Sequence, residues 1–235
     1  MGWHNDVLNE EYLPVSVLKR DEGGEVIRLR HKTLGKDIVK ISYRGKSDAY
    51  KRLMTVKNSN LPTVYDVYEE NGTVTVLEEF IDGITVSDVL MGGLYTPKGT
   101  AAVCRGVCDA LYALHTLNII HSDVKPENVM IENAGRVVLI DLDASRIYSD
   151  SKNADTQLMG TVGYAAPEQF GFLQTDVRAD IFSVGVLMNV MLTGEHPSKK
   201  LYGGKMRKII EKCIRLDPDE RYSDVSELKL SLNKF

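Results

Sequence analysis

The segment DIFSVGVLMNVMLTG, Asp180 to Gly194, is apolar nearly all round. A helix without a polar face has to be buried on every side, so the rest of the chain must enclose it. Gly194 and Pro197 supply its stop. The 235 residues suffice for that, as one large domain or two small lobes with real cores. Further helices read around it. Thr96-Pro97 is an N-cap followed by proline at the first helical position, and Val103, Val107, Ala110 and Leu114 then mark one apolar face. MRKIIEKCIRL is amphipathic and stops at Asp217-Pro218; SDVSELKLSL reads as a last short helix.

The stretch before Phe80 has a different character. VIRLRHKTLGKDIVKIS gives two β-rich runs around a turn at Leu34-Gly35. TVYDVYEENGTVTVLEEF places Asn71-Gly72 between two β-branched and aromatic runs, the strongest short hairpin signal. Ser47 to Val56 reads as one short helix with Ser47 or Asp48 at its cap. EFIDGITV, Glu79 to Val86, joins the β-rich first part to the helical second part.

Composition excludes several classes. With 43% hydrophobic and 26% charged residues the chain is not disordered throughout. A formal charge of -4 gives no bulk electrostatic case for nucleic acid or a membrane surface, so an anionic ligand needs local cations or a metal ion. Cys104, Cys108 and Cys213 are odd in number and form no CxxC, and no secretion signal opens the chain. This points to a reducing, cytoplasmic location, with Cys104 and Cys108 as core residues rather than a metal or redox pair. No apolar run approaches the roughly 20 residues needed to span a bilayer.

The chemistry concentrates in IIHSDVKPENVMIENAGRVVLIDLD, Ile119 to Asp143. Phosphoryl transfer asks a protein to hold phosphates and metal ions and to place an acceptor hydroxyl in line. Asp123 can accept the hydroxyl proton. Lys125, two residues on, lies on the same side of an extended loop and can neutralise the moving group. Asn128 and Asp141 are hard oxygen donors suited to magnesium. The hairpin Val129 to Ile140 sets them at neighbouring strand ends, so both can reach one metal site.

These residues carry a resemblance. HSDVKPEN is similar to the H-R-D-L-x-x-x-N catalytic loop of protein kinases. DLD, Asp141 to Asp143, resembles their D-F-G, and GTVGYAAPE, Gly160 to Glu168, resembles the end of their activation segment. DIVK places Lys40 where the family has its strand-three lysine, and Asp180 and Arg221 match the helix-F aspartate and the arginine that pairs with the A-P-E glutamate. Taken singly, each has a plainer role: a solvated loop, a surface lysine, a helix N-cap, an ordinary buried ion pair. Order and spacing together make the resemblance specific, from about Pro14 to the C-terminus. The chain looks most like the small Ser/Thr kinases of Gram-positive bacteria, with Lys125 and Thr161 marking Ser/Thr rather than Tyr specificity.

The resemblance implies an α+β bilobal fold. Residues 1–80 would form an antiparallel β-rich lobe with one helix and residues 81–235 a mainly helical lobe, joined by a hinge at about 79–83. It implies ATP and Mg2+ between the lobes and a protein substrate with a Ser/Thr acceptor. No nucleic acid and no membrane segment in this chain are implied, and the oligomeric state stays open. Lys40 would reach the phosphates, with Gly24 near them; Val26, Ile38 and Leu77 would line the cleft, and the backbone at Glu79 and Ile81 would bond adenine. Asp123, Lys125, Asn128, Asp141 and Thr161 would be catalytic, with Asn128 and Asp141 on the metal.

The sequence also departs from the family. Counted back from Val26, the glycine pattern falls on Lys19, Asp21 and Gly24, so only the third glycine stands, and Asp21 and Glu22 repel phosphate. Ala49 falls at the helix-C glutamate position, leaving Asp48 and Asp141 as acidic partners for Lys40. Glu78 precedes the hinge glutamate. Ser122 replaces the arginine that receives an activation-loop phosphate, and a phosphate on Ser149 or Ser151 would meet Asp150 and Asp155. The active conformation is therefore expected not to depend on phosphorylation of Ser149, Ser151 or Thr156, while Thr161 ties the segment to Asp123 and Lys125. Two other readings stand beside an active kinase: a pseudokinase or nucleotide-binding scaffold, and a small-molecule kinase of the aminoglycoside phosphotransferase type.

Overall fold

The structure is a computed structural model that describes residues 8–148, 160–170 and 175–235. The chain divides into two compact units, Met1–Lys57 with Pro62–Ile81, and Asn58–Leu61 with Asp82–Phe235.

The first unit is one antiparallel sheet of order β1-β2-β3-β5-β4, with β1 Tyr12–Asp21, β2 Gly24–His31, β3 Asp37–Tyr43, β4 Val64–Glu70 and β5 Thr73–Glu79. The β4–β5 turn places Asn71 and Gly72 at φ 52° and 76°, the left-handed pair whose twist matches that of a hairpin. The central strands bury Val39, Ile41, Val74 and Val76. The outer strand β1 is interrupted by two register shifts and keeps Pro14 on the sheet edge, where its missing N–H costs no ladder bond. The helix, α1, covers only Asp48–Leu53, shorter than Ser47 to Val56. Ser47 does not cap it: its backbone is already helical (φ -94°, ψ -4°), and its hydroxyl bonds Glu69 of β4 instead. Tyr50 of α1 meets Tyr43 of β3, ring centroids 6.2 Å apart.

The second unit is mainly helical: α2 Val86–Gly92, α3 Pro97–Thr116, α4 Arg178–Thr193, α5 Arg207–Cys213 and α6 Val225–Leu232. Thr96 caps α3 by accepting the Gly99 N–H at 3.1 Å. The all-round apolar segment is α4. Thirteen of its sixteen residues are buried, and Gly194 ends it at φ 71°. Close approach explains Gly185, where a Cβ would lie 2.4 Å from Cys213 Cβ of α5. Cys104, Cys108 and Cys213 are buried free thiols, and burial pushes the Cys108 thiol up to about 12, as inert core residues require. Two small sheets complete the unit. One has the order β6-β8-β9 (Gly83–Thr85, Val129–Glu132, Val137–Leu139), and the other pairs β7 Ile119–Ile120 with β10 Arg146–Ile147. Among the described residues no helix is long and apolar enough to cross a membrane.

Candidate active site

The loop between β7 and β8 is positioned from below by α4. From sequence alone Asp180 reads as the cap of that helix. The helix begins at Arg178, so Asp180 lies within the first turn and is fully buried. Its carboxylate accepts the backbone N–H of His121 at 3.0 Å, the N–H of Ser122 at 2.9 Å and the His115 ring at 2.8 Å. Burial opposes its ionisation, but His115 and the Ser122 amide hold its carboxyl below the usual value. His121 faces the other way, its ring 3.2 Å from the Ile140 carbonyl. Ser122 is thereby held at φ 69°, a region few non-glycine residues adopt.

The next residue is Asp123. Its Oδ1 accepts the Thr161 hydroxyl at 2.6 Å and the Thr161 N–H at 3.0 Å. Its Oδ2 faces the Lys125 ammonium at 2.7 Å and the Asn128 Nδ2 at 3.0 Å. Lys125 also donates to the Thr161 hydroxyl at 2.7 Å, so Thr161 touches both Asp123 and Lys125. Burial raises the Asp123 carboxyl, yet the bonds from Lys125 and Thr161 outweigh it and leave it below its ordinary value. The group is an ionised acceptor on a loop anchored at both ends.

Asn128 ends the short turn Pro126–Asn128, and its carbonyl accepts the Ile140 N–H at 2.9 Å. That bond sets Asn128 beside the chain entering Asp141. Asp141 has φ 69° and its Oδ1 accepts the Asp143 N–H at 3.1 Å. Left-handed backbone at a non-glycine residue persists only where the surroundings over-determine it. Leu142, next in the chain, is buried. Among the described residues no three His, Cys, Asp or Glu side chains gather into a metal cluster. Magnesium uses only one or two carboxylates together with phosphate oxygens, so the donor pair Asn128 and Asp141 fits it.

Beyond Thr161, Glu168 is buried against Arg221, with Nη1 2.6 Å from Oε1 and Nη2 2.9 Å from Oε2. Ser149, Ser151 and Thr156 lie outside the described residues.

The sheet unit presents its own candidates. Residues directly opposite in an antiparallel ladder share a face. Lys40 stands opposite Ile27 and Leu77, and Ile38 opposite Leu29 and Glu79, so Lys40, Ile38, Leu77 and Glu79 share one face. Burial lowers the Lys40 ammonium from its ordinary value. Val26 is a correction: it stands opposite Ile41, on the reverse face, and Ile27 takes the place expected of it. The β2–β3 register decides the parity, since it pairs Ile27 rather than Val26 with Lys40. Gly24 is demanded by the sheet itself, since a Cβ there would lie 2.3 Å from the Ser42 carbonyl. The turn amides of Gly23 and Gly24 donate to Asp21 Oδ1 at 2.8 and 3.1 Å. Ile81 and Glu78 are buried, Glu78 on the face opposite Lys40. Ala49 is buried, and Asp48 is exposed at the start of α1. Sequence reasoning misses His115, which nothing but spatial proximity to Asp180 distinguishes, and Gln169, described below.

The five-stranded antiparallel sheet with its following helices is consistent with the fold of a protein kinase, and the protein kinase domain family matches residues 47–223. The chain belongs to that family. The match begins after β3, so Gly24, Ile38 and Lys40 lie outside it. Within the family the chain belongs with the bacterial serine/threonine kinases. Serine/threonine-protein kinase PknB of Mycobacterium tuberculosis (strain ATCC 25177 / H37Ra) is 36% identical over 170 residues, 68% of this chain and 27% of that protein. The probable serine/threonine-protein kinase PknB of Corynebacterium glutamicum is 36% identical over 150 residues, 60% of this chain and 23% of its own length. The probable serine/threonine-protein kinase SCO3848 of Streptomyces coelicolor is 30% identical over 200 residues, covering 72% and 30%. The chain thus spans less than a third of the length of these relatives.

Proposed function

We propose that the chain transfers the γ-phosphoryl group of magnesium-bound ATP to serine or threonine hydroxyls of protein substrates. The observation that carries this reading is the set of contacts around Asp123: an ionised carboxylate, held by Lys125, Asn128 and Thr161, on a loop pinned by Asp180. Asp123 would orient the acceptor hydroxyl and take its proton, a contribution of about 10²–10⁴-fold. Lys125 would offset charge on the transferred group. Asn128 and Asp141 would hold magnesium, which when bound supplies charge neutralisation at the phosphates. On the sheet unit, Lys40 would pair with phosphate, Ile38 and Leu77 would pack against the base, and backbone at Glu79 and Ile81 would bond its edge. Asp123→Asn keeps the shape and removes the basic oxygen, so turnover should fall by about 10²–10⁴-fold with nucleotide affinity nearly unchanged. Equal loss of both would make Asp123 structural.

One observation favours a second reading, a scaffold that binds partners with little phosphotransfer. Asp21 occupies the turn amides that would otherwise face a phosphate. Absence of magnesium-dependent nucleotide binding at millimolar ATP would select it.

A further inference from the structure

Gln169 lies in the short turn Pro167–Phe170 and is 1% exposed. Its Oε1 accepts the Ala166 N–H at 2.8 Å, and its Nε2 donates to the Ser122 carbonyl at 3.0 Å. A backbone N–H requires an acceptor and a carbonyl requires a donor, so these two partners fix the orientation of the amide. Gly160 closes round the contact. A Cβ there would lie 2.9 Å from both Gln169 Nε2 and the Ser122 carbonyl and 2.8 Å from Ala165 Cβ, and φ +107° disfavours a side chain in any case.

Ser122 contributes nothing through its side chain, because its buried hydroxyl has no hydrogen-bond partner among the described residues. It acts through its main chain alone: the N–H goes to Asp180 and the carbonyl accepts from Gln169. These two bonds hold a left-handed residue immediately before Asp123. Residues 160–170 therefore grip the loop twice, by Thr161 on the Asp123 carboxylate and by Gln169 on the peptide that precedes it. Neither grip involves a phosphate.

We propose that Gln169 is a positioning residue of the catalytic loop, a neutral strut that fixes Ser122 and through it aims Asp123 at the acceptor hydroxyl. The consequence for turnover rests on the kinase reading above; the strut itself does not.

The test uses the full chain with Gln169→Glu and Gln169→Met. In Gln169→Glu an ionised carboxylate sets an acceptor against the Ser122 carbonyl, whereas the protonated acid donates to it again, and burial keeps that proton on to higher pH. Gln169→Glu should therefore lose about 10- to 100-fold in kcat relative to wild type near about pH 9, with the loss shrinking toward about pH 6 and KM for ATP within about twofold. Gln169→Met should show the loss at every pH. Amide hydrogen exchange over residues 121–128 should be about tenfold faster in Gln169→Met, with α4 unchanged. Wild-type exchange in that loop, or a Gln169→Glu deficit independent of pH, overturns the proposal. If wild type transfers no phosphate, the kinase reading falls while exchange still decides the strut. If Gln169→Met does not fold, the pH profile of Gln169→Glu decides alone.

Discussion

Arg221 makes five side-chain hydrogen bonds in the helical unit, and that makes its pair with Glu168 a quantitative test. Its guanidinium donates twice to Glu168 and once each to the carbonyls of Arg215, Arg178 and Leu216. It also lies 5.1 Å from the Phe182 ring centroid. Both side chains are nearly removed from solvent, at 0% and 6% exposed. The two partners are therefore unequal. Glu168→Gln converts one carboxylate oxygen to an NH2 group facing the guanidinium, and Arg221 keeps three carbonyl acceptors. Loss of about one charge-assisted bond costs about 2 kcal/mol. Arg221→Met removes five bonds and leaves a carboxylate buried alone, costing about 3–5 kcal/mol. Joining Glu168→Gln to Arg221→Met leaves no unpaired charge, so the double variant should recover about 2 kcal/mol or more of the summed single losses. Urea midpoints at constant m-value measure all four corners of the cycle. If Arg221→Met is no worse than Glu168→Gln, or the double variant shows simple additivity, then packing rather than the ion pair holds this corner.

Three further outcomes follow from the geometry. Thr161→Ala removes the 2.6 Å donor from Asp123, so its carboxyl titrates higher and the acid limb of kcat/KM against pH moves up, with Thr161→Ser restoring it; an unmoved limb refutes the coupling. Asp37, held down to about 2 first by Arg30 and then by Arg28, has a depressed folded value. Its stabilisation is complete above the unfolded value of about 4 and fades as pH falls toward 2. Asp37→Asn should therefore flatten the stability–pH curve in that window, and an unchanged acid slope would count against the pairing. Asp21→Ala frees the Gly23 and Gly24 amides and removes a negative charge, so magnesium-ATP should bind a few-fold (about 3-fold) more tightly at low salt. Unchanged affinity would place the turn away from the nucleotide.

What can be read from the chain is whatever depends on local chemistry or on order along it. Asn71-Gly72 announces a two-residue hairpin because few other pairs tolerate two left-handed residues. Thr96-Pro97 announces a helix start for an equally local reason. The all-round apolar run of α4 specifies burial whatever encloses it. What stays hidden depends on register and proximity. Counting residues along one strand cannot detect the β2–β3 register that pairs Ile27 rather than Val26 with Lys40, so it assigns Val26 the face that Ile27 holds. Ser47 looks like a cap, but a carboxylate on β4 competes for its hydroxyl. Asp180 looks like a cap as well, and its partners are amides 59 and 58 residues back in the chain. Gln169 has no local signal, since its meaning lies in a carbonyl 47 residues earlier.

The placement of Asp180 explains how so much irregular backbone survives in one loop. Ser122 is left-handed without being glycine, and such a residue costs about 1–3 kcal/mol. Two consecutive amides, those of His121 and Ser122, converge on a single carboxylate. The carboxylate meets them with one oxygen each, an anion binds both more strongly than a neutral acceptor would, and its burial cost is offset by His115 and by its position in the first turn of α4, where the helix dipole favours negative charge. The charge is thus held by the one helix whose apolar surface leaves it nowhere to move. Anchored there, the loop presents Asp123, and Thr161 and Gln169 add two further contacts to it from residues 160–170.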